Sequence, residues 1–71
     1  MTAHFLMNLR PWKVIAGNRS VVVHVRTDGV TPRWRRLTQR EVEQQQALAK
    51  RLGAALLRLP ASAVDRVEMA R

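Results

Sequence analysis

The run Val21-Val22-Val23-His24-Val25-Arg26-Thr27 constrains this chain more than any other segment. β-Branched side chains are stiff at χ1 and suit a pleated, half-buried surface, so the run reads as a strand. Turn signals bound it: Gly17-Asn18 lies before it and Asp28-Gly29 after it. Strand side chains alternate between faces. Val21, Val23, Val25 and Thr27 therefore share one face, and Val22, His24 and Arg26 share the other.

The turns set a register. A two-residue turn at Gly17-Asn18 places Val14 opposite Val21 and Trp12 opposite Val23. A two-residue turn at Asp28-Gly29 places Thr27 opposite Val30, Val25 opposite Pro32 and Val23 opposite Trp34. Cross-strand partners project to the same side. The sequence thus predicts a three-stranded antiparallel meander, with strands over about 12–16, 21–27 and 30–36. One face collects Trp12, Val14, Val21, Val23, Val25, Val30 and Trp34. The other collects Lys13, His24, Arg26, Arg33 and Arg35, with Ile15 and Val22 as apolar exceptions. Pro32 falls at a hydrogen-bonded position, where it has no N–H to give. The third strand is then an edge with a bulge, or its loop is longer than two residues. Trp12 and Trp34 sit with the valines and read as core rather than as stacking platforms for bases.

A helix follows. Thr38-Gln39-Arg40-Glu41 fits a capping box, and Leu37 with Val42 fits the hydrophobic staple. Good helix formers continue from Gln39, and Pro60 disfavours helical geometry at Leu59. The predicted helix runs over about 39–58. Val42, Ala49, Leu52, Leu56 and Leu59 form its seam, serving as core against the sheet, as a dimer contact, or both; Gln45 interrupts it. Ala49-Lys50-Arg51-Leu52-Gly53 resembles the turn of a helix-turn-helix, yet Ala54-Ala55-Leu56-Leu57 continues a helix smoothly. Gly53 reads instead as a place where another element packs close. A short helix over about 63–69, capped near Ser62 or Asp65, ends the chain with Val64 and Val67 as its contacts. The fold expected is α+β: a three-stranded antiparallel sheet on one long helix, in a single small domain.

Charge is unevenly spread. Residues 1–40 carry eight basic residues against Asp28 alone, and residues 41–71 carry five against four acids, within a formal net charge of +8. A localised positive field attracts polyanions, nucleic acid foremost. Eleven of the 13 basic residues are arginine, which suits bidentate recognition of phosphate or carboxylate but also follows from a GC-rich genome.

Composition excludes several classes. With no cysteine and two histidines, disulfides and thiolate metal sites are ruled out and a structural zinc site has too few ligands. No apolar run approaches the roughly 20 residues that span a bilayer, and the start lacks the pattern of a signal peptide. A cytoplasmic protein is expected, and a homodimer, because 71 residues bury a modest core. Glu41 is assigned to a cap, Asp28 to a turn, and Glu43 and Glu68 to helix surface. No nucleophile–base pair, phosphate-binding glycine loop or paired carboxylate appears, so neither an enzyme nor a cofactor is expected.

The predicted function is duplex DNA binding through Lys13, His24, Arg26, Arg33 and Arg35 on the basic sheet face. The alternative is a small inhibitor or adaptor whose arginines meet an acidic protein surface. The strand, strand, strand, helix order over Trp12 to about Leu59, with Arg26, Arg33 and Arg35 on strands, resembles the arm-type DNA-binding domains of tyrosine recombinases. That resemblance implies a sheet laid in the major groove with a helix behind it; the glycine-lysine-leucine opening usual there is missing. Leu59-Pro60-Ala61-Ser62 with Arg66-Val67-Glu68 and Ala70 is similar to the end of a small phage anti-CRISPR family that binds the type I-F surveillance complex. Together these resemblances imply a phage or mobile-element accessory protein. They assign no residue roles.

Overall fold

The computed structural model describes residues 9–26 and 37–70. In chain order they form β1 (Leu9–Ala16), β2 (Arg19–Arg26), α1 (Gln39–Leu57), a 3₁₀ turn (Ala61–Ala63) and β3 (Arg66–Met69). The strands make one antiparallel sheet in the order β2-β1-β3. The helix packs on one face of that sheet, giving the expected α+β arrangement.

The first hairpin follows its turn. Gly17 takes φ +63°, the left-handed region that a type II′ turn needs at its first central position. The register then pairs Val14 with Val21 and Trp12 with Val23, as the sequence predicts. Trp12, Val14, Val23 and Val25 are buried on the inner face, and Val21 packs against them. β1 begins earlier than predicted, because pairing continues to Leu9 opposite Arg26, and β2 begins at Arg19, because Ser20 and Arg19 pair with Ile15 and Ala16.

Backbone groups of β1 divide by parity. The Asp65 N–H donates to the Ile15 carbonyl at 2.9 Å, and the Ala70 N–H to the Pro11 carbonyl at 3.0 Å. In an antiparallel ladder a residue's N–H and C=O point the same way, so odd-numbered β1 residues address β3 and even-numbered ones address β2. Pro11 therefore costs the β1–β2 ladder nothing; its missing N–H falls at the last rung beside β3.

The strand predicted over 30–36 is not among those described, and the sheet gains one that was not predicted. Residues 30–36, with Arg33, Trp34 and Arg35, lie outside the described residues. The strand beside β1 is β3, in the stretch read as a helix over 63–69. That reading took Val64 and Val67 as a helical stripe. Arg66-Val67-Glu68-Met69 also alternates charged and apolar, and so short a segment cannot nucleate a helix alone. Pairing with β1 satisfies its backbone instead. Asp65 is no cap: its Oδ2 accepts from the Gly17 amide at 2.6 Å, tying the first turn to the start of β3.

The helix is capped as predicted. The Glu41 amide donates to Thr38 Oγ1 at 3.2 Å, and the Thr38 amide donates to Glu41 Oε1 at 2.9 Å. At the other end Arg58 adopts φ 59°, ψ 46°. The Leu59 amide reaches the Ala54 carbonyl at 2.8 Å and the Arg58 amide reaches that of Ala55 at 3.1 Å, a Schellman closure. Gln45, Ala49, Gly53 and Leu57 face the sheet, four residues apart, with Val42 and Leu59 packed partly against the core. Leu52 and Leu56, assigned to the seam by sequence, are 46% and 63% exposed. The helix runs unbroken through Gly53, which excludes a helix-turn-helix there. A Cβ on Gly53 would lie 2.5 Å from Val14 Cβ and 2.6 Å from its Cγ1, so Gly53 is the close approach predicted. Gln45, the apparent interruption, accepts a buried hydrogen bond from the Trp12 indole N–H at 3.2 Å.

Gly53→Ala is expected to destabilise the fold by about 1–3 kcal/mol in urea unfolding, despite alanine's better helix propensity. Val14→Ala in the same chain removes two of the three atoms struck and leaves only Cβ, so the double variant should lose less than the sum of the singles. A neutral Gly53→Ala would refute the close approach. Arg58→Gly removes a side chain from the left-handed region and should stabilise by about 0.5–1 kcal/mol; an unchanged or lower unfolding midpoint would count against that geometry.

Candidate nucleic-acid interface

With the helix on the inner face, the outer face of the sheet presents the residues between the buried positions. Its rows follow the register: Arg26 beside Leu9, His24 beside Pro11, Val22 beside Lys13 beside Glu68, and Ser20 beside Ile15 beside Arg66. Lys13, His24 and Arg26, three of the five predicted contact residues, thus share one face. His24 and Arg26 are exposed and Lys13 is half-buried between its neighbours. Arg33 and Arg35 lie outside the described residues.

Arg66 joins this face, which the sequence does not predict. The predicted helix over 63–69 hides it, whereas the alternation of Arg66, Val67, Glu68 and Met69 signals the strand. Glu68, also read as helix surface, stands next to Lys13 and moderates the field. Its ion pair with Arg66 is long, 3.9 Å, and both side chains are more than half exposed. Such a pair contributes little and leaves the arginine available to a stronger anion. The axes of the outer strands lie about 10 Å apart, comparable with the roughly 12 Å width of a B-DNA major groove.

Around these cations lie Leu9, Pro11 and Ile15, half-buried, and Val22, 48% exposed. The face is basic with an apolar floor. On the other side of β2 is a groove of about 430 Å³, lined by Val22, Val23, His24, Leu52, Ala55 and Leu56. The four-residue spacing of Leu52 and Leu56, on a stripe separate from the one that meets the sheet, signals it in the sequence. Among the described residues no group of three His, Cys, Asp or Glu side chains could hold a metal ion. Among them also, no helix is long and apolar enough to cross a membrane. Compared with protein families, with curated proteins and with solved structures, the chain matches none.

Proposed function

We propose that this protein is a small non-enzymatic DNA-binding protein that meets duplex through the outer face of its sheet. The observation carrying the reading is the convergence of Lys13, His24, Arg26 and Arg66 on the one sheet face that the helix leaves uncovered. Arginine and lysine at the strand positions would contact phosphates and guanine edges, and the narrow sheet would enter the major groove. Arg33 and Arg35 join the proposal on sequence grounds. So do a cytoplasmic location, a dimeric state and an accessory role in a phage or mobile element. A second reading has its own support. The apolar groove beside β2 favours a small inhibitor or adaptor that binds another protein.

The test is fluorescence anisotropy with a labelled random duplex across a salt series. Binding should weaken linearly on a log–log plot, by counterion release. Lys13→Gln with Arg26→Gln should lose about tenfold or more at low salt and flatten the slope by about 0.9 per lost phosphate contact. Arg51→Gln with Arg58→Gln removes the same charge from the helix and should cost far less. Equal losses in the two pairs would reduce the interaction to net charge and overturn the assignment of the face. Absence of low-salt binding would overturn the function itself. Glu68→Gln, which removes the acid next to Lys13, should tighten binding a few-fold, and a weakening would contradict the placement of the duplex.

A further inference from the structure

Among the described residues the edge of β2 offers hydrogen bonds. Even-numbered β1 residues bond the odd-numbered residues of β2, through Trp12 with Val23 and Val14 with Val21. The N–H and C=O groups of Ser20, Val22 and His24 therefore point away from β1. Among the described residues β2 has a strand on one side only. The groove walled by Leu52, Ala55 and Leu56 runs beside these same residues. Strand edge and helix wall together form the geometry in which an extended peptide can add a strand and sink alternate side chains.

Charge selects the occupant. β2 carries Arg19, His24 and Arg26 and no acid, and Arg51 is exposed next to Leu52 on the helix wall. The four described acids are all engaged elsewhere. Glu41 closes the helix cap, Glu43 accepts from Gln39, Asp65 holds the Gly17 amide and Glu68 sits on the opposite edge of the sheet. A second copy would set like charges against each other along this edge, whereas an acidic strand would be attracted.

We propose that the β2 edge and its groove take up an extended acidic segment of another polypeptide, whose apolar side chains enter the groove while its carboxylates meet the basic outer face. The pattern follows from the pleat. A residue paired with Val22 or His24 shares their outer face, near Lys13 and Arg26, and its neighbours point toward Val23, Leu52 and Leu56. This deepens the protein-binding reading; its carboxylates would compete with phosphates for Lys13 and Arg26, and the strand expected over 30–36, which lies outside the described residues, would compete for the same edge.

The probe is a short labelled peptide in which glutamates alternate with valine or leucine, made in two N-methylated forms that block opposite backbone edges. We expect saturable binding by the parent peptide, a loss of about tenfold or more in one N-methylated form, and retention in the other. Leu56→Asp, at an exposed position that should not disturb folding, should also lose about tenfold, and Leu48→Asp, outside the groove, should bind normally. Hydrogen exchange at the Val22 and His24 amides should be fast in the free protein and slow in the complex. The proposal is overturned if the peptide fails to bind, if both N-methylated forms bind alike, or if Leu56→Asp has no effect. Slow exchange at Val22 and His24 in the free protein overturns it too, since the edge would then be taken by this chain or by a second copy. Duplex binding by the same protein measures the other reading separately.

Discussion

The contact between Gly53 and Val14 sets the arrangement of everything else. A helix can lie this close to a sheet only where its own side chain is absent, and Gly53 supplies that absence over the centre of β1. Once the two backbones meet there, Ala49 and Leu57 one turn to either side are buried with it, and Gln45 comes within reach of the Trp12 indole. The hydrogen bond between them satisfies polar groups that would otherwise be costly inside the core. The same contact turns the Leu48, Leu52 and Leu56 stripe away from the sheet, which leaves these leucines exposed and one wall of the groove apolar.

The first hairpin and the helix were legible because each is set by local chemistry. Gly17 supplies the positive φ of its turn, the valines supply the period, and Thr38 with Glu41 closes the helix start. The strand on the other side of β1 was not legible. β3 is short, and it exists because β1 has an edge to pair and because the chain turns back after Leu59 and Pro60. That is a long-range condition, and Val64 with Val67 mimics a helical stripe when read locally. The tie from Asp65 to Gly17 is invisible for the same reason, since it spans most of the chain.

The candidate site was half legible. Alternation alone put Lys13, His24 and Arg26 on one side, and their shared face follows from the register of the hairpin. Arg66 and Glu68 joined that face only through β3, so sequence reasoning missed one cation and the acid that tempers another. Gln45 looked like a flaw in the helical seam and is the acceptor for the core tryptophan. Leu52 and Leu56 looked like core and form a surface. In both cases the helix rotation, fixed by Gly53, decided the outcome.

The sheet face opposite the helix is the surface proposed to meet nucleic acid. The most direct measurement is a titration of the isotopically labelled protein with duplex DNA, following backbone amide shifts residue by residue. The largest changes are expected at Lys13, Val22, His24, Arg26 and Arg66, with Ala49, Gly53 and Leu57 on the buried side of the helix little affected. Changes confined to Arg40, Arg51 and Arg58 on the helix would contradict that expectation and move the nucleic-acid surface to the opposite side of the molecule.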